Sequence, residues 1–162
     1  MTVVHPTSVQ GRGSRRCPSG PDWPAALEDA YAALDWLVAH ADERGIDVGR
    51  IAVGGPSADG GLAAGLALLA HGRGQIRPAF QLLVYPMPDD RTVVRTDLDT
   101  RNVRVRTPGS NRFGWTSYPG RELGSGGVPL HAAPARREDL AGRPPAWIGV
   151  GTLHLFFDQN TD

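Results

Sequence analysis

The 162-residue chain has no lysine; all seventeen of its basic side chains are arginine. Seventeen acidic groups balance them. No global field therefore draws the chain to nucleic acid or to an anionic membrane. A single cysteine, Cys17, excludes an internal disulfide framework and any C-x-x-C redox or zinc motif. No apolar run approaches the roughly 20 residues of a membrane span. The N-terminus lacks the charged-then-apolar pattern of a signal peptide, so a reducing, cytoplasmic setting is expected. The histidines make no close His/Asp/Glu spacing of the kind a metal needs, and neither a metal nor another cofactor is expected. Arginine without lysine, beside abundant alanine, glycine and proline, points to G/C-rich codons more than to a functional choice. Residues 89–106 mix arginine and aspartate, the pattern of a solvated surface loop, with a phosphate-binding patch the weaker reading.

What is present is an alternation of helix and strand. Residues 1–22 show no period and are rich in Gly, Pro, Ser and Arg, which predicts loop or disorder. A helix is expected from Pro24, whose missing N–H needs no partner in a first turn. Leu27, Ala30, Tyr31, Leu34, Leu37, Val38 and Ala41 recur at spacings of three and four, one apolar stripe, while Glu28, Asp29 and Asp35 fall off it. Gly45 stops the helix. Residues 50–54 read as a short strand buried on both faces, 79–85 as the next, halted by Pro86, and 147–151 as a third. Glycines at 60, 61 and 65 in the second helix let it lie close to the sheet. Residues 87–131 are a long, weakly patterned insertion whose expected apolar anchors are Phe113, Trp115 and Tyr118. The class is α/β with a parallel sheet of about three to four strands flanked by helices.

The segment RIAVGGPSADGGLAAGLALL, residues 50–69, concentrates the chemistry. An apolar strand meets a glycine-rich turn with Ser57 at its apex, and an alanine- and leucine-rich helix follows. Such a strand–turn–helix presents a serine oxygen to a substrate carbonyl, the arrangement called a nucleophile elbow. A serine is also favoured as a plain helix N-cap. A phosphate cradle is the weaker reading, because the loop has no Lys-Ser/Thr pair and Asp59 repels an anion.

These residues resemble the α/β-hydrolase superfamily, in particular the hormone-sensitive-lipase-like carboxylesterases. The family's G-D-S-A-G-G corresponds to Gly55-Pro56-Ser57-Ala58-Asp59-Gly60. Trp23-Pro24-Ala25-Ala26-Leu27-Glu28-Asp29-Ala30 is similar to the helix before the elbow strand, and Gln81-Leu82-Leu83-Val84-Tyr85-Pro86 to the strand after it. Leu140-Ala141-Gly142-Arg143-Pro144-Pro145-Ala146 resembles the lead-in to the strand that carries the acid. The likeness spans most of residues 23–158. It implies a partial α/β-hydrolase fold, truncated at both ends, with 87–131 as lid and pocket insertion in a domain of residues 23–162. It also implies a serine nucleophile, Ser57, with the N–H of Ala58 as one oxyanion donor, acting on small acyl esters.

The same comparison exposes departures. Pro56 replaces an aspartate, and Asp59 stands where the family has glycine. At an effective dielectric of about 20, a carboxylate a few Å from an oxyanion repels it by roughly 4 kcal/mol. The family's acid position maps to His154, and an imidazole cannot stabilise an imidazolium as a carboxylate does. Asp158 is the alternative acid, one turn further on. His5, His40, His71 and His131 all precede the acid position, whereas the triad runs in the chain order Ser, Asp or Glu, His. Arg15-Arg16-Cys17-Pro18-Ser19-Gly20 stands in place of the family's Y-R-L-A-P-E motif; in G/C-rich codons read one base out of register it gives A-L-P-E-R, so the first twenty or so residues are expected to be non-native. Two functions follow. One is a carboxylesterase working through Ser57, inactive or strongly impaired for want of a complete triad and oxyanion hole. The other is a non-catalytic remnant that self-associates through exposed sheet edges.

Overall fold

The computed structural model describes residues 2–4, 23–98, 101, 103, 107–118, 123–124 and 126–161. Four strands, β1 (Thr2–Val4), β2 (Ile51–Pro56), β3 (Phe80–Val84) and β4 (Ala146–Gly149), lie side by side in sequence order. All three pairings are parallel, with Val4 opposite Val53, Pro56 opposite Val84 and Val84 opposite Gly149. β1 corrects the expectation that the first residues are loop. It flanks β2, so the serine-bearing strand is interior, while β1 and β4 are the edges. The rest of the segment 1–22 lies outside the described residues.

Helix α1 (Trp23–Ala39) forms where its stripe predicts. Leu27, Ala30, Tyr31 and Leu34 are buried, and Glu28, Asp29 and Asp35 face solvent. A 3₁₀ turn follows, closed by Gly45 at φ 63°, a conformation glycine adopts without a Cβ penalty. Helix α2 (Ser57–Arg73) packs on the same sheet face as α1. Leu66, Ala67 and Ala70 of α2 meet Leu34 of α1 and Ile51 and Val53 of β2 in one cluster. Each leucine, isoleucine or valine of this cluster stabilises by about 1.5–3 kcal/mol when fully buried.

The helix glycines do allow a close approach, but not mainly to the sheet. A Cβ on Gly61 would overlap the Met87 carbonyl and one on Gly65 the His131 carbonyl, both in loops. Only Gly60 abuts the strand end, where a Cβ would lie 2.8 Å from the Gly55 oxygen.

The insertion is less irregular than its composition suggests. It contains a 3₁₀ turn, Asp90–Val93, and helix α3 (Pro108–Ser117). Thr107 caps α3 reciprocally: its hydroxyl accepts the Ser110 N–H at 3.2 Å, and the Ser110 hydroxyl accepts the Thr107 N–H at 3.1 Å. Of the three expected anchors, Trp115 is 1 % exposed and Tyr118 is half-buried, but Phe113 is 76 % exposed. Phe113 lies two positions from Trp115, and a helix turns such a pair to different faces.

Trp115 joins Met87, Val93, Val128, Leu155 and Phe156 in a second cluster. Beside it lies a charge that no periodicity announces. Asp90, fully buried, takes hydrogen bonds from Arg136 at 2.6 and 2.9 Å and from the Gly124 amide at 2.8 Å. Burial pushes its carboxyl up, but Arg136 and Gly124 outweigh that and hold it below the usual range. No helix among the described residues is long and apolar enough to cross a membrane.

Candidate functional site around Ser57

In a parallel sheet every strand ends on the same side, and ligands of open α/β sheets bind outside those ends. β2 ends at Pro56, whose φ and ψ of −91° and 154° are extended. Ser57 then turns the chain abruptly, with φ at 52°, and is already the first residue of α2. Left-handed backbone in a non-glycine residue costs of order 1–3 kcal/mol and persists only where its surroundings impose it. Here they do. The Ser57 carbonyl accepts the Met87 N–H at 2.9 Å, and Gly60 and Gly61 bring α2 against Pro86 and Met87. The alternative reading of Ser57 as an ordinary N-cap does not hold, because Pro56 occupies the cap and no side-chain cap bond forms.

Ala58 is exposed in the first turn of α2, where backbone N–H groups have no intrahelical partner. Its amide is thus placed to donate to a group at the helix start. Asp59 is half-buried in the same turn. The turn is tight on the strand side, where a Cβ on Gly55 would lie 2.8 Å from that of Asp59. The small residue this packing demands is therefore Gly55.

The acid position behaves as a structural corner. His154 Nδ1 accepts the Phe156 N–H at 3.2 Å, and its own N–H bonds to the Gly151 carbonyl at 2.9 Å. A neutral ring accepting at Nδ1 carries its proton on Nε2 and has no second lone pair for a general base to use. The ring stacks on Tyr85, centroids 5.0 Å apart at 27°, and tilts against Phe156. Asp158 pairs with Arg95 at 3.1 Å. Arg95 also grips Asp97 at 2.7 and 3.0 Å, and those hydrogen bonds hold the Asp97 carboxyl down at about 2. Asp158 is thus one arm of an ion-pair network.

His40 and His71 are engaged elsewhere. His40 Nδ1 meets the Trp36 carbonyl at 2.8 Å, and His71 Nδ1 meets the Gly142 carbonyl at 3.1 Å. His131 is held below its usual range by burial and by Arg137 and Arg73. His5 lies outside the described residues. Among the described residues no hydrogen bond joins the Ser57 hydroxyl to an imidazole, and no cluster of three or more His, Cys, Asp or Glu side chains is arranged to hold a metal.

Sequence reasoning missed the lateral neighbour of Ser57. Tyr85 follows Val84 as Ser57 follows Pro56, and that pair is in register. Tyr85 too has a positive φ, 36°, and its N–H bonds to the Gly149 carbonyl at 2.6 Å. Asn160 fastens the same segment, donating to the carbonyls of Pro86 and Phe156. A tyrosine before a strand-ending proline was the one available signal. A cavity of about 310 Å³ adjoins His154, lined by apolar Leu98, Val103, Leu153 and Phe157 and by polar Asp97, Thr152 and Asp158.

Residues 15–162 match the family described as alpha/beta hydrolase fold. Esterase LipI of Mycobacterium tuberculosis is 36% identical over 139 residues, which are 84% of this chain and 42% of that protein. Carboxylesterase NlhH of the same organism is 36% identical over 143 residues, 84% and 43% of the two chains. Among solved structures, a bacterial heroin esterase superposes with a TM-score of 0.78 at 36% identity, covering 85% of this chain and 44% of that one. Esterase LipW from Mycobacterium marinum gives 0.73 at 35% identity, covering 90% and 44%. The chain spans less than half the length of these relatives. With its parallel sheet and its serine at the strand–helix turn, the chain belongs to the hormone-sensitive-lipase-like group of the α/β-hydrolase family.

Proposed function

We propose that these residues carry the nucleophile of a serine carboxylesterase acting on small acyl esters. Ser57 is the attacking group, and the Ala58 amide is one donor to the oxyanion. The observation that carries the reading is the positive φ of Ser57 at the end of an interior parallel strand, clamped by the Ser57–Met87 backbone bond. Turnover also needs a proton acceptor beside the hydroxyl, and the rings of His40, His71 and His154 are bonded to other groups. Activity of these 162 residues alone is therefore absent or strongly reduced.

A serine-directed fluorophosphonate and a short-chain nitrophenyl ester test this, with Ser57→Ala as control. Labelling abolished by the substitution, with ester turnover at or near background, is the expected result. Failure to label the native protein overturns the nucleophile assignment, and rapid turnover lost on Ser57→Ala overturns the impaired state.

The non-catalytic reading rests on a different observation. Among the described residues β4 pairs with β3 alone and exposes Trp147 by 51 % and Ile148 by 46 %. An uncovered apolar edge pairs with other chains. Size exclusion of the native protein against Trp147→Lys measures that association: a dimer lost on substitution supports it, and a monomer throughout removes it.

A further inference from the structure

Two peptide planes connect an amide side chain near the C-terminus to the start of α2. The Asn160 side chain donates to the Pro86 carbonyl at 3.1 Å and to the Phe156 carbonyl at 2.7 Å. Both partners can only accept, so the amide must present its NH2 to them. The Pro86 carbonyl and the Met87 N–H belong to one rigid peptide. That N–H donates to the Ser57 carbonyl at 2.9 Å. The Ser57 carbonyl in turn shares its peptide with the Ala58 N–H, the proposed oxyanion donor. A run of hydrogen bonds therefore leads from Asn160 through both planes to the first turn of α2.

We propose that Asn160 is a positioning residue for the Ser57 hydroxyl and the Ala58 amide, acting through the Pro86–Met87 peptide. The proposal rests on the reading of Ser57 as nucleophile and adds the group that sets its geometry. In a trans peptide the carbonyl and the N–H point opposite ways, so Asn160 and Ser57 grip opposite edges of one plane. Proline fixes its own φ and brings no N–H, which leaves rotation of that plane to be set by these two bonds. Contact with α2 limits the same segment: a Cβ on Gly60 would lie 2.9 Å from the Pro86 Cβ, and one on Gly61 would overlap the Met87 carbonyl. A carbonyl that accepts a bond polarises the N–H of its own peptide, so bonds in series strengthen one another. Without the Asn160 donor the plane can swing, and Ser57 relaxes from its φ of 52°. The hydroxyl and the Ala58 N–H then no longer converge on one reacting atom. Gln159 reinforces the hold, its Oε1 accepting the Asp89 N–H at 3.2 Å and the Thr92 hydroxyl at 3.1 Å. The Asn160 Oδ1 is buried with no hydrogen-bond partner among the described residues. Such an atom costs stability, so the amide is better explained by what its NH2 orients than by what it adds to the fold.

The test compares the native full chain with Asn160→Ala and Asn160→Asp. The aspartate keeps the shape but has no N–H to donate at neutral pH. Amide hydrogen exchange followed by NMR reads the Met87 N–H, with the Leu66 amide in the first cluster as the reference for global opening. The second-order rate of fluorophosphonate labelling reads Ser57. In both variants Met87 should exchange about tenfold faster and Ser57 label about tenfold more slowly, the weight of one hydrogen bond, with Leu66 unchanged. An aspartate variant that behaves as native overturns the positioning role. So does faster Met87 exchange with undiminished labelling, or equal loss of protection at Met87 and Leu66. Should neither variant fold, the native protein decides: slowed exchange of the Asn160 carboxamide protons supports the bond to Pro86, and exchange as free as in a peptide overturns it. A native protein that fails to label overturns the nucleophile, while Met87 exchange still decides the hold of Asn160 on the turn.

Discussion

The two apolar clusters of this molecule are assembled in different ways. The first joins α1, β2 and α2 through Leu34, Ile51, Val53 and Leu66, all aliphatic. The second gathers Met87, Val128 and Phe156 from distant loops and Trp115 from α3, and beside it sits a buried ion pair. Aliphatic packing is non-directional and tolerates local adjustment. A buried carboxylate is tolerated only while each partner is in place. The first cluster is therefore built to yield gradually, and the second to fail when one group is lost.

The sharpest way to break that contrast is Asp90→Ala. Removing one partner strands Arg136 beside the second cluster, at an expected cost of about 4 kcal/mol, read by urea unfolding at pH 7. The sign with pH follows from the lowered carboxyl of Asp90. Its contribution is complete above the unfolded value of about 3.9 and is lost as pH falls through the folded one. The gap between native protein and variant should therefore narrow below about pH 4. A gap independent of pH would show that the pair is not what stabilises this region.

Leu34→Ala probes the other cluster and should cost about 3 kcal/mol, the transfer term plus a cavity. Unlike the first variant, it should show no change in acid sensitivity. Equal pH profiles for the two variants would erase the distinction between the clusters. The smallest effect lies where the regions meet. Ser57→Gly removes the Cβ from a left-handed backbone and should stabilise the fold by about 1 kcal/mol while abolishing fluorophosphonate labelling. A loss of stability instead would mean that the serine side chain, and not the bond from Met87, shapes the turn.

Legibility divided along the same line. The helix stripe from Leu27 to Leu34, the three strands and the glycine-rich turn were readable because period and turn chemistry are local. Phe113 was misjudged because hydrophobicity without a known helix phase does not say which ring faces inward. The Asp90–Arg136 pair was invisible, since 46 residues separate its members and the surrounding charge pattern reads as solvent-facing. The contacts of His154 with Tyr85 and Phe156 required coordinates.

The order of residues alone determined the α/β alternation, the parallel sheet and the serine between strand and helix, because each follows from side-chain period and backbone preference within a few residues. Tertiary structure alone decided that β1 shields the serine strand, that Ser57 is held left-handed by Met87, and that the imidazole at 154 stacks on Tyr85. Those outcomes depend on contacts between segments far apart in the chain, whose register no local propensity specifies.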